Sequence, residues 1–337
     1  MIKAIKLPVF IVFICSVHVP GLHAAETSSS PQLTEQQQVG VSPWGPDDEL
    51  GRLNLMTEQS VAETLSRIKS GKSYDLSVDF SIGMPSYDSG GEPRYLYWLV
   101  HTPQGTVIDD ALNAGPAATE LITLTGDAVT IYTHMGTHID ALNHFGLHGK
   151  IYNQFEANRY LGDAGWKRSG AETIPPIIGR GVLIDVAAAK KTEVLPQSHR
   201  ISAQDLQEAL TLQGTALQTG DIVLIRTGQM KYFNEAEKYK NNAPGISMGA
   251  AEFLVASQAM VVGADNLTFE MFPSEVEGNP VPVHTYLLAQ HGIPILELVY
   301  LEELSEDKVY TFAFIGGSLK FRGASAAPIR PIALPIK

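Results

Sequence analysis

The stretch Val129-Thr130-Ile131-Tyr132-Thr133-His134-Met135-Gly136-Thr137-His138-Ile139-Asp140-Ala141-Leu142-Asn143-His144-Phe145 changes character halfway along. Its first residues are β-branched or aromatic and predict a strand over Ala128–Thr133, with His134 at its end. Gly136 lets the backbone turn, which a helix of the His-Glu-x-x-His kind would not want. His138 and Asp140 are two apart, so an extended backbone points both to one side. Two imidazoles and a carboxylate converging there suit a divalent metal. His144, four residues past Asp140, is placed to move a proton beside that metal.

Three ligands need completion from elsewhere in the chain. The best source is Val281-Pro282-Val283-His284-Thr285-Tyr286-Leu287-Leu288-Ala289-Gln290-His291-Gly292-Ile293-Pro294-Ile295-Leu296-Glu297. His284 opens a predicted helix over Pro282–His291, and Glu297 ends the strand that follows. Glu297 is acidic inside an apolar run, where an unpaired carboxylate is costly, so a metal or a cation must compensate it. His291, just before Gly292, reads as a helix C-terminal residue favoured by the dipole rather than as a ligand.

Further out, alternation and apolar runs predict strands at Tyr74–Val78, Tyr95–Val100, Gly181–Val186, Asp221–Arg226, Ala259–Ala264 and Val309–Ile315. Helices are expected from Thr57 to about Ser70, over Ser202–Leu212 and over Gly249–Gln258. The sum is an α/β fold, a single strand-rich domain over residues 42–337. Tyr95, Tyr97, Trp98 and Trp44 are candidates for an aromatic wall, with ordinary packing as the other reading. Arg52 and Arg180 are either ion-paired or anion clamps. Ser247 has bare nucleophile-elbow spacing, but Pro244 sits where the strand before it should end.

Ahead of this domain, Lys3 and Lys6 precede the apolar run Leu7–Val17 and a small-residue site ending at Ala24. This pattern predicts a signal peptide over 1–24 and export to the periplasm or medium, followed by a polar leader over 25–41 without an apolar pattern. The apolar run is too short for a membrane anchor. The sole cysteine, Cys15, lies in this segment, so the mature chain has no thiolate and any metal must sit on nitrogen and oxygen. Removing Lys3 and Lys6 takes the formal net charge from −12 to −14. That acidic balance argues against a nucleic-acid partner.

Taken together, these segments resemble a known family. His134 to His144 is similar to the His-x-Gly-Thr-His-x-Asp-x-x-x-His signature of the metal-dependent cyclase/hydrolase family, which includes bacterial kynurenine formamidase and isatin hydrolase. Trp44–Asn54, Gly149–Asn153, Gly179–Asp185, Gly220–Gly228, Gly263–Asp265 and Phe321–Ala324 also resemble family segments, in the family's order, so the likeness spans about residues 42–335. It implies the kynurenine formamidase-like (swivelling β/β/α) fold and a homodimer. It also implies His134, His138, Asp140, His284 and Glu297 as ligands of Zn2+ or Mn2+, in one or two ions, with Asp140 able to bridge and His144 as the proton-transfer residue. Ala141-Leu142 departs from the Ala-Pro usual in kynurenine formamidases and places the chain among longer relatives of unsettled substrate.

The expected chemistry is metal-assisted hydrolysis of a small-molecule formamide, cyclic amide or imide, or lactone, with an aromatic substrate in view. Two other classes compete. His138, Asp140 and His284 imitate the triad of a non-haem iron(II) oxygenase, although 144 residues separate the last two. A periplasmic binding or metal-storage protein would need the ligands but not His144.

Overall fold

The computed structural model describes residues 38–88 and 90–337. The expected signal peptide and most of the expected leader lie outside them. Val39 is buried, Gly40 N–H donates to Ala289 O at 2.9 Å, and Asn153 N–H donates to Gly40 O at 3.1 Å. The packed body therefore starts before residue 42, where order was expected to begin.

The principal strands are β1 (Tyr74–Asp75), β2 (Leu96–His101), β3 (Gly126–Thr130), β4 (His138–Asp140), β5 (Ile177–Asp185), β6 (Ile222–Arg226), β7 (Val261–Ala264), β8 (Ile295–Glu297), β9 (Thr311–Gly316), β10 (Ala326–Pro328) and β11 (Ile332–Pro335). The helices that matter here are α1 (Glu58–Ser66), α2 (Pro103–Asp109), α3 (Pro116–Leu121), α4 (Ala203–Gln213), α5 (Met248–Ala256) and α6 (Pro282–His284). Nine strands form one mixed sheet in the order β1-β11-β9-β5-β6-β7-β8-β4-β10, while β2 and β3 pair only with each other. The expected strand-rich α/β fold is the one observed.

The middle of the sheet, β5 to β8, is parallel. Parallel strands need crossovers, and α4, α5 and α6 lie on the connections. Burial on both faces explains why these strands read as apolar runs. Val182, Ile184, Val223, Ile225 and Val262 join the core that also contains Leu206, Leu210 and Leu254 from the helices. Leu183, Ile222, Leu224, Val261 and Leu296 face the other way, into a core with Phe312 and Phe314 of β9. Each such side chain contributes about 1.5–3 kcal/mol on burial.

Several expected boundaries move. The Tyr74–Val78 strand shortens to β1 because the Asp75 carboxylate accepts from both Ser77 N–H (3.0 Å) and Ser77 Oγ–H (2.6 Å), a local turn that competes with pairing. The strand expected to run to Thr133 stops at Thr130, so His134 sits on the loop beyond it. The helix expected through His291 is α-helical only to His284 and widens into a π-turn over Thr285–Gln290. Ser247 does have a short strand before it, Gly245–Ile246, but its Oγ accepts from Ala250 N–H and caps α5. Arg180 pairs with Asp221 at 2.7 Å, whereas Arg52 forms no ion pair among the described residues and donates to the carbonyls of Val255 and Ala259. Among the described residues no helix is long and apolar enough to cross a membrane.

Candidate metal centre

The carboxyl ends of parallel strands are where an α/β sheet leaves room for a ligand. Glu297 closes β8 at that edge. Strand β4 runs antiparallel beside it, and the register sets Glu297 against His138 and Ile295 against Asp140. One pairing thus joins His138 and Glu297, 159 positions apart, as neighbours, and the long sequence gap stops counting against a shared site. Gly136 makes the preceding turn at φ +60°, and a Cβ there would meet the Phe80 ring at 2.4 Å. Thr137 ties the turn down: its Oγ1–H donates to Leu298 O (2.6 Å) and its Oγ1 accepts from Val78 N–H (3.0 Å).

Six predicted residues converge. His134 Nδ1 lies 2.8 Å from Asp140 Oδ1, and His138 Nε2 lies 3.4 Å from the same oxygen. On the opposite side, Asp140 Oδ2 is 3.8 Å from His284 Nε2 and 4.0 Å from His144 Nε2. Glu297 spans the two halves, with Oε2 3.3 Å from His138 Nε2 and Oε1 3.3 Å from His284 Nε2. His144 stacks on His134 with ring centroids 3.9 Å apart. His148, the fourth histidine of the local cluster, is exposed and stands apart.

The outer nitrogens are committed, and this fixes what the inner ones offer. His138 Nδ1–H donates to Gly136 O at 2.9 Å, leaving Nε2 as the free end. His284 Nδ1–H donates to Glu270 Oε1 at 2.5 Å, and that carboxylate also accepts the backbone N–H groups of His284 (3.0 Å) and Val283 (3.3 Å). His134 Nε2 bonds Ser325 Oγ at 2.8 Å. The carbonyl behind His138 and the carboxylate behind His284 are the arrangement that orients metal-binding histidines, and the Ser325 hydroxyl holds His134. Glu270 and Ser325 escaped the sequence reading. Glu270, 14 positions before His284, stands in no spacing pattern, although an acid beside Phe269 and Met271 shares the signal that marked Glu297.

The inner atoms are the ones left without partners. His138 Nε2, both oxygens of Asp140 and Oε1 of Glu297 are buried and accept or donate no hydrogen bond. Such groups are expensive unless something compensates them. Among the described residues no lysine or arginine pairs with Glu297, and the side chains that face it are His138 and His284. Burial pushes His138 down, but Asp140 and Glu297 outweigh it and raise the imidazole to about 10. His284 is likewise raised to about 10, with Glu270 and Glu297 overcoming burial. Asp140 is held well below the usual carboxylate range, as His144 and His134 overcome its burial. The centre calls for positive charge, and His134, His138 and Asp140, or Asp140, His144 and His284, stand close enough to hold a divalent ion.

A cavity of about 200 Å3 opens onto these residues. Phe145, Leu267, Phe272 and Val281 give it apolar walls, and Tyr87, Tyr132 and Glu92 supply polar groups. The aromatic wall expected from Tyr95, Tyr97 and Trp98 is not part of it. Tyr95 packs on Phe80, while Tyr97 and Trp98 face away on β2; Trp44 is also exposed and outside the cavity. His291 caps the π-turn as expected in position, yet burial and nearby Arg52 lower it to about 4, so it is neutral and draws no benefit from a helix dipole.

Residues 74–271, more than half of the chain, match the Cyclase family, described as "Putative cyclase". The kynurenine formamidase of Bacillus cytotoxicus is 26% identical over 208 residues, 62% of this chain and 79% of that protein. A crystal structure described as a novel cyclase superposes with a TM-score of 0.79 and 27% identity, covering 90% of this chain and 100% of the other. An isatin hydrolase bound to the product analogue thioisatinate gives a TM-score of 0.61 at 18% identity, covering 84% and 100%, a likeness of fold. His284 and Glu297 lie beyond the matched segment, so geometry alone joins them to the centre.

Proposed function

This chain belongs to the Cyclase family, and from that premise we propose that it is a metal-dependent hydrolase of the carbon–nitrogen bond in a small formamide or cyclic amide. The observation that carries the reading is the set of buried, unpartnered atoms on His138, Asp140 and Glu297, which lack only a cation. His134 through Nδ1, His138 through Nε2 and Asp140 would hold one Zn2+ or Mn2+. Asp140, His284 through Nε2 and Glu297 would hold a second where two are bound. A divalent ion in such a site polarises a carbonyl and makes water a usable nucleophile near neutral pH.

The remaining work falls to the chain itself. Burial, reinforced by His134, His284 and His138 and opposed by Asp140, holds His144 well below its ordinary pKa. A neutral imidazole accepts the proton that the attacking water gives up and returns it to the leaving nitrogen as the carbon–nitrogen bond breaks, yielding a carboxylic acid and an amine. Glu270 and Gly136 keep their histidines in one tautomer and orientation. Phe145, Phe272 and Leu267 give a planar, aromatic-sized group an apolar setting beside the ion site. The kynurenine formamidase and isatin hydrolase among the relatives support both carbon–nitrogen alternatives. The lactone alternative has no counterpart there.

The test is to strip the purified protein with a chelator, restore zinc or manganese, and assay N-formyl-arylamines and isatin without oxygen. Hydrolysis that returns with the ion and persists anaerobically is expected. Failure to take up any divalent ion would overturn the reading, and turnover that requires oxygen would favour the oxygenase. The proposal includes export. N-terminal sequencing of protein recovered from the periplasm or medium should begin at Ala25, after removal of residues 1–24.

A further inference from the structure

The cavity over the ion centre has one charged wall residue that the hydrolysis does not use. Glu92 lines it from the loop between β1 and β2, which also supplies Tyr87. Glu92 Oε2 accepts from Gly90 N–H at 2.8 Å, a contact that fixes where the carboxylate stands. Among the described residues Oε1 accepts no hydrogen bond, and no lysine, arginine or histidine pairs with Glu92. Asp88, on the same loop, differs: it meets Arg94 at 3.0 Å and Lys240 at 3.1 Å, so those cations are already committed. Burial first, then the carboxylates of Glu92, Asp140 and Glu297, raise the Tyr132 phenol, which places Glu92 on the Tyr132 side of the cavity. The Tyr132 ring in turn lies against His134, with centroids 5.1 Å apart, and so joins that side to the ion centre.

We propose that Glu92 is a specificity-determining residue, which binds an ammonium or other cationic group that the substrate carries away from its scissile amide bond. Recognition of this kind rests on the hydrolase reading above and adds the charge of the substrate to it. The residues lining the cavity include no lysine or arginine, so an anionic substituent finds no side-chain partner there. The rings of Tyr87, Tyr132, Phe145 and Phe272 stand in the same wall, and aromatic faces attract a cation. Glu297 faces His138 and His284 in the ion centre, which leaves Glu92 as the lining acid available to a substrate. Its unoccupied oxygen is the acceptor for a charge-assisted hydrogen bond. Glu92 is half-buried, and partial removal from water strengthens that attraction.

Steady-state kinetics of the metal-loaded protein on three para-substituted N-formylanilines tests this. The substituents are aminomethyl (a cation), ethyl (neutral and of the same size) and carboxymethyl (an anion). In the unaltered protein kcat/KM should fall in that order, with the cation ahead of the neutral compound by about 10–100-fold. Glu92→Gln should collapse this ratio to near unity, and Glu92→Lys should turn the preference toward the anion. Each ratio is read within one protein, so a variant that folds poorly lowers all three rates and leaves the ratio legible. Equal kcat/KM for the three compounds in the unaltered protein would overturn the role of Glu92, and so would a preference that survives Glu92→Gln. Absence of turnover on all three strikes the formamide reading instead. Calorimetric titration then decides Glu92 separately: benzylammonium must bind more tightly than benzyl alcohol and lose that advantage in Glu92→Gln, and equal affinities reject the site.

Discussion

Along one edge of the sheet, the ends of four neighbouring parallel strands bear Asp185, Arg226, Asp265 and Glu297, and two buried charge clusters grow from them. Around Arg226 every group is answered within the chain. Its guanidinium meets Asp185 Oδ1 at 3.0 Å and both oxygens of Glu302 at 2.9 and 2.8 Å. Asp265 accepts from Thr227 N–H (2.9 Å), Thr227 Oγ1–H (2.7 Å) and Gly228 N–H (2.8 Å). Around Glu297 no lysine or arginine among the described residues plays that part, and His138 Nε2, both oxygens of Asp140 and Glu297 Oε1 have no hydrogen-bond partner. Both clusters bury carboxylates at the same edge of the same sheet. The first is complete as a polypeptide, and the second is the one to which we assign a divalent ion. Buried charge is common to both clusters, and unpartnered atoms distinguish the candidate site from its neighbour.

The hardest blow to this contrast is Asp140→Ala. It removes the carboxylate that lies within 4.0 Å of all four histidines, so ion content should fall to background and turnover by about a thousandfold or more, a loss of several kcal/mol of charge stabilisation. His144→Ala should retain its ion while losing about 10²–10⁴ in rate. Equal metal content and equal activity in the two variants would dissolve the division between ligand and proton carrier. Arg226→Met strikes the other cluster by stranding Asp185 and Glu302. Urea denaturation should report a loss of about 3–5 kcal/mol. Metal content per folded molecule should stay unchanged, because nothing at Arg226 needs an ion.

Smaller effects sharpen the picture. Glu270→Gln weakens the support behind His284, and titration should show metal affinity down about 10–100-fold with the fold intact. Affinity equal to that of the unaltered protein would reduce Glu270 to a helix-start anchor for Val283 and His284. The mildest test is pH. In the metal-free protein His138 and His284 are raised to about 10, above the roughly 6.5 of an unfolded histidine. Their contribution to stability is therefore full below about pH 6.5 and fades as pH climbs toward 10. The metal-loaded protein should not show that decline, since its ligands carry no displaceable proton. Loading near pH 7.5 should release protons, visible as a dependence of binding heat on the buffer's ionisation enthalpy.

Much of this was legible in advance, and the exceptions have physical causes. His134, His138, Asp140 and His144 announce themselves because two-residue and four-residue spacings translate directly into side-chain direction within one short segment. Glu297 announces itself through cost, as a charge inside an apolar run. The parallel strands were found because burial on both faces writes itself into composition. Strands β10 and β11 were missed, for Pro328, Pro331 and Pro335 argue against pairing; β10 tolerates its proline because it is an edge strand. Tyr97 and Trp98 do not line the cavity, and their other reading, ordinary places on a strand, fits their exposure on β2. Alternation assumes that one face of a strand is buried by its own chain, and in β2 neither face is.

By itself the sequence determined the α/β class, the local half of the candidate metal centre and the acid that required compensation, since each follows from spacing or composition within a few residues. Only the tertiary structure decided which distant residues complete the centre. Register between β4 and β8 sets Glu297 against His138, the turn after β7 brings Glu270 behind His284, and separate loops supply Tyr87, Phe145 and Phe272 to the cavity. Those meetings depend on pairing and packing between segments, and no periodicity along the chain records them.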